Sequence, residues 1–194
     1  MYLIYLHGFR SHANAIKGSW LKAYCQQHHP EIQVYIPDLN RPPCEVMQLL
    51  SAQIAAHPQV ALVGSSLGGF YATQLVVKHH VPAVLINPVV QPWQVFDQLF
   101  HGQLPLQVTA DWCLDARQLE DLRQMATPCL EAAHQLLVLL KQGDEILDYR
   151  VAQRYYSQAA SGVSMITEPG GDHFMADFRE KIPMLLQFLS ARLD

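Results

Sequence analysis

No basic run occurs anywhere in the 194 residues, and 13 Lys and Arg face 17 Asp and Glu, a formal charge of −4. The electrostatic footprint of a nucleic-acid-binding protein is therefore missing, and no nucleic-acid partner is expected. No apolar run approaches the ~18 residues that a membrane span requires, so no membrane association is expected. The opening MYLIYLHGF has no basic segment ahead of its short apolar stretch and is not expected to act as a secretory signal. The four cysteines, Cys25, Cys44, Cys113 and Cys129, make no C-x-x-C pair, which excludes the common zinc and redox motifs. A chain this long builds a core without disulfides, so they are expected to be buried or half-buried free thiols of a cytoplasmic protein. Disorder is excluded as well, because 50% of the residues are hydrophobic and only 15% are charged. The ten histidines prompt a search for metal ligands. No H-E-x-x-H or comparable spacing exists, and neither a metal nor a cofactor is expected.

What is present is alternation. Short apolar runs at 2–6 (YLIYL), 33–36, 60–63 (VALV), 83–86 (AVLI), 136–140 (LLVLL) and 163–166 read as strands, most of them apolar on both faces. That suits parallel strands covered by helices on each side. Helical spacing occupies 19–28, 45–57, 69–80, 149–158 and 178–193 between and after them. The 136–140 run could also be the end of a helix begun at Glu131, since a short apolar run does not settle that by itself. The pattern predicts an α/β fold, a doubly wound, mainly parallel sheet of about six strands, in one domain spanning 1–194. One connection is too long: residues 89–134, rich in Trp93, Phe96, Leu99, Phe100 and Trp112, read as a helical lid or cap insertion.

The strongest local pattern is Gly64-Ser65-Ser66-Leu67-Gly68, a G-x-S-x-G between VALV and the helical GFYATQL. That strand–turn–helix setting is what a nucleophile elbow needs, with Gly64 and Gly68 clearing space around a strained Ser66. At a helix N-terminus Ser66 also faces the positive end of the dipole, which favours developing negative charge. Ser65, before the turn, should point into the structure. A serine needs a base. His28, His29, His57, His79 and His80 lie at helix ends, where a partly cationic ring suits the dipole, and His12, His101 and His134 have no ligand-spaced partner. His173 stands in the turn-rich EPGGDHF after the last strand, which delivers it to the sheet edge where Ser66 is exposed. The base needs an orienting carboxylate. Asp144 lies in the KQGDE segment that directly follows the LLVLL run, with Glu145 as its rival; Asp148 reads as a helix N-cap and Asp172 as loop charge. The oxyanion formed in acyl transfer needs pre-aimed donors, assigned to the backbone N–H groups of Leu67 and of Phe9 in the loop His7-Gly8-Phe9. His7 reads as a structural hydrogen-bonder. If the first strand lies between the second and third, both loops open into one switch-point crevice.

The blocks YLHGF at 5–9, VGSSLGGFYAT at 63–73, VPAVLINPVVQP at 81–92, QGDEILDYRVAQRYY at 142–156 and GGDHF at 170–174 resemble the small bacterial YqiA-type esterases of the α/β-hydrolase superfamily, in order and in spacing. The resemblance implies a compact α/β-hydrolase, a serine esterase acting on short acyl esters, with acyl-CoA thioesters as the alternative. It puts the nucleophile on Ser66, the acid on Asp144 and the base on His173. Arg10, residues 104–113 and Phe174 depart from the pattern and bear on substrate preference rather than reaction type. The expected partner is a small-molecule acyl ester or thioester. A hydrolase fold that only binds ligand is the competing expectation from another class.

Overall fold

The computed structural model describes residues 1–159 and 162–193. In chain order it holds β1 (Tyr2–Leu6), α1 (Ile16–His28), β2 (Gln33–Tyr35), α2 (Pro43–Ala56), β3 (Val60–Ser65), α3 (Leu67–His79) and β4 (Ala83–Ile86). There follow α4 (Pro92–Phe100), β5 (Leu106–Gln107), β6 (Cys113–Leu114), α5 (Ala116–Met125), β7 (Leu136–Lys141), α6 (Tyr149–Ser157), β8 (Ser164–Glu168) and α7 (Phe178–Ser190). Six strands form one sheet in the order β2-β1-β3-β4-β7-β8, every neighbouring pair parallel. The expected α/β architecture is therefore present, and β1 does lie between β2 and β3.

Strand side chains alternate between faces, and each face meets helices. Leu3, Tyr5, Val63, Ile86 and Leu139 join Leu21 and Cys25 of α1 and Phe178 and Leu185 of α7. Ile4, Leu6, Leu62, Leu85 and Val138 meet Val46 and Leu50 of α2, Leu75 of α3 and Tyr156 of α6. This double cover explains why the central strands are apolar throughout rather than alternating.

The ambiguous 136–140 run is a strand, entered from a single 3₁₀ turn at Ala133–Gln135. Pairing with β4 and β8 on its two sides decides the matter, a long-range contact that local sequence does not carry. Segment 89–134 contains two helices joined by a short antiparallel ladder of Leu106–Gln107 with Cys113–Leu114. Asp115 caps α5 by accepting from the Gln118 N–H at 2.8 Å, and Asp148 caps α6 as expected. The cysteines are free, but Cys44 and Cys129 are exposed rather than buried. Among the described residues no helix is long and apolar enough to cross a membrane.

Candidate active site

Ser66 occupies the turn between β3 and α3 with φ +54° and ψ −117°, a conformation costly for any residue with a side chain and kept only where the surroundings hold it. They do so through its backbone: the Ser66 N–H donates to Ile86 O at 3.0 Å, and Ser66 O accepts from Val89 and from the first turn of α3. The flanking glycines are forced by close approach. A Cβ on Gly64 would collide with Gly68 O, and one on Gly68 with Leu6 O. Ser65 is 6% exposed, buried as its place before the turn implies.

Across the crevice, the loop after β1 is pinned by His7, which is 2% exposed. Its Nε2 accepts from the Leu39 N–H at 2.9 Å while Nδ1 donates to Gly8 O at 2.8 Å. Those partners require the neutral ring with its proton on Nδ1. Burial lowers its pKa, against the opposing pull of Gly8 O and Asp38. A turn closed by Ser11 N–H to Gly8 O carries the chain past Phe9 and Arg10. The Leu67 N–H, first in α3, has no intrahelical acceptor by position. Gly8, Phe9, Ser66, Leu67 and His173 all line one cavity of about 400 Å³.

His173 is held from behind. Its Nδ1 donates to Asp144 Oδ2 at 2.7 Å, and the Asp144 side chain is only 2% exposed. The other oxygen, Oδ1, accepts from the N–H groups of Ile146 and Leu147 at 2.9 and 2.8 Å, which fixes the plane of the carboxylate. With Nδ1 committed as donor, Nε2 is left as the basic nitrogen. Glu145, the rival carboxylate, instead accepts from the His173 backbone N–H at 2.9 Å, a bond that lowers its pKa. It anchors the loop, not the ring.

Asn87 and Lys17 were not foreseen, and Arg10 was expected only to bear on substrate preference. Asn87, just beyond β4, accepts from the Lys141 N–H at 2.9 Å and donates to Asp172 O and His173 O at 3.1 and 3.2 Å, so it ties two strand ends to the histidine loop. Its only signal in the sequence is a polar residue directly after AVLI. Arg10 donates to Gln107 O at 2.9 Å and lies over the Phe100 ring, linking the Phe9 loop to segment 89–134. Lys17, from α1, lines the cavity at 7% exposure. Val95, Phe96 and Leu99 of α4 and Ile146 and Leu147 supply its apolar wall. Among the described residues no cluster of three or more His, Cys, Asp or Glu is arranged to hold a metal ion.

Solved structures share this architecture. Alpha/beta hydrolase domain-containing protein 10 from mouse superposes with a TM-score of 0.74 at 16% identity, covering 98% of this chain and 90% of that one. Est1E from Butyrivibrio proteoclasticus, solved with ferulic acid bound, gives 0.73 at 12% identity, over 99% of this chain and 89% of that one. A pyrethroid hydrolase from Sphingobium faniae JZ-2 gives 0.64 at 12% identity, over 98% of each chain. These likenesses establish the α/β-hydrolase fold. The blocks that resemble YqiA-type proteins fall within a match spanning residues 2–190, and the chain belongs to the family described as "Uncharacterised protein family (UPF0227)".

Proposed function

We propose that the protein is a serine hydrolase that cleaves short carboxylic esters of small molecules through an acyl-enzyme. The observation that carries this reading is the 2.7 Å bond from His173 Nδ1 to Asp144, on a histidine that shares a cavity with Ser66 at its strained turn. In this mechanism Ser66 Oγ forms a bond to the ester carbonyl carbon while its proton passes to His173 Nε2. Asp144 stabilises the imidazolium, and the Phe9 and Leu67 N–H groups hold the oxyanion. The carbon–oxygen bond to the alcohol then breaks, the alcohol leaving with the proton from His173. Water, deprotonated by the same nitrogen, releases the acid and restores Ser66. Segment 89–134 serves as the cover of the cavity, α4 presenting Val95, Phe96 and Leu99 to the hydrocarbon part of the substrate.

Hydrolysis of p-nitrophenyl acetate and butyrate tests the reading. Ser66→Ala should lower kcat/KM by at least about three orders of magnitude, because the members of such a triad act as a unit. Asp144→Asn, which leaves His173 in the wrong tautomer, should cost on the order of 10²–10⁴. Near-wild-type turnover by Ser66→Ala would contradict it.

A further inference from the structure

Two lysines of this chain are equally buried and differently treated. Lys141, 7% exposed, meets Glu168 and Asp177 at 2.7 and 2.6 Å. Its charge is matched, and its pKa is raised by those partners against the cost of burial. Lys17, also 7% exposed, has no carboxylate within ion-pair distance among the described residues. Its Nζ donates to the backbone oxygen of Phe174 at 2.6 Å and lies 3.9 Å from the centre of the Phe174 ring. An ammonium has three donors, and among the described residues Nζ makes one hydrogen bond, to Phe174 O. Burial pushes its pKa down to about 8, with Asp172 opposing from farther away.

A buried charge without a counter-charge costs stability. A well-packed apolar residue in the same place would fill the space without that cost. Sites that carry such a cost are commonly those that work on a ligand. Here the location supports that view. Lys17 lines the same cavity as Ser66 and His173, and its acceptor Phe174 follows His173 directly. The wall from α4 and from Ile146 and Leu147 is apolar.

We propose that Lys17 recognises a negatively charged group of the substrate, so that the esters taken by this cavity carry a free carboxylate, as in the half-ester of a dicarboxylic acid. The proposal rests on the hydrolase reading above. A singly charged carboxylate fits better than a phosphate dianion, because Lys17 is the one lysine or arginine among the lining residues and Glu145 lines the same space. In the free protein the Phe174 carbonyl and ring hold the ammonium in place. Substrate carboxylate then accepts from its remaining N–H groups while the hydrocarbon body rests against α4.

Matched esters test this. The p-nitrophenyl half-ester of glutaric acid and p-nitrophenyl pentanoate differ at the far end of an acyl chain of equal length. Wild-type kcat/KM should favour the charged ester at least tenfold, and in Lys17→Met that ratio should fall to near one. The melting temperature of Lys17→Met should hold or rise, since an unmatched buried charge is removed. A wild-type ratio near one would overturn the proposal. So would a ratio unchanged in Lys17→Met with both substrates losing equally and the melting temperature falling, the behaviour of a mere anchor for the His173 loop. A binding arm separates this failure from failure of the hydrolase reading. In Ser66→Ala, calorimetry should show monomethyl glutarate binding at least tenfold more tightly than dimethyl glutarate, and equal affinities would overturn the carboxylate assignment whether or not hydrolysis is found.

Discussion

At the residue scale, His7 and His173 show how neighbours assign opposite tasks to one side chain. His7 is enclosed, with both ring nitrogens occupied by backbone partners, whereas His173 keeps one nitrogen for the cavity. The difference has a pH consequence. Burial depresses the folded-state pKa of His7, so an unfolded chain takes up a proton below about pH 6.5 that the folded chain still refuses. The stability due to this difference is complete above that pH and is lost as pH falls from there toward the depressed folded value. Melting temperatures measured from pH 7 to 5 should therefore decline more steeply for wild type than for His7→Gln; identical slopes would show that His7 plays no part. The sequence offers Ser66, His173 and Asp144 as candidates because each sits in a local pattern, a glycine-flanked turn or a polar residue near a strand end. Asn87 and Lys17 escaped notice because their bonding partners lie 54 to 157 residues away.

Element by element, the elbow is the feature with least tolerance. The space that Gly68 leaves is filled by backbone, Leu6 O and C, which has no side-chain freedom to yield. Gly68→Ala should thus exceed the ordinary 0.5–3 kcal/mol range of destabilisation. Urea unfolding should show a midpoint loss equivalent to about 4 kcal/mol or more, or no folded protein; a loss under 1 kcal/mol would mean the turn can relax. The long apolar strands and amphipathic helices were legible because their side chains repeat at the period of their own structure. Elements of segment 89–134 were less so. The strands Leu106–Gln107 and Cys113–Leu114 have two residues each, too few for any period to show, and the path between α4 and α5 is set by contacts such as Arg10 with Gln107 O.

For the whole molecule, the order β2-β1-β3 turns these local features into a site. Because β2 and β3 flank β1 on opposite sides, the loops after β1 and β3 open side by side, and the loops after β7 and β8 bring Asp144 and His173 to the same edge. The place of β1 between β2 and β3 entered the sequence reading only as a condition, because fully apolar faces suit a central strand but mark β3, β4 and β7 equally. The depth of the cavity was not inferable, since α4 and α1 reach it from the two different faces of the sheet. The central claim is that this edge activates Ser66, and a fluorophosphonate probe reports such activation without knowledge of the substrate. Mass spectrometry of the labelled protein should find a single adduct, on Ser66, absent from Ser66→Ala and strongly reduced in His173→Ala. A folded wild-type protein that takes no label, or takes it elsewhere, would contradict the account and leave a hydrolase fold that binds without cleaving.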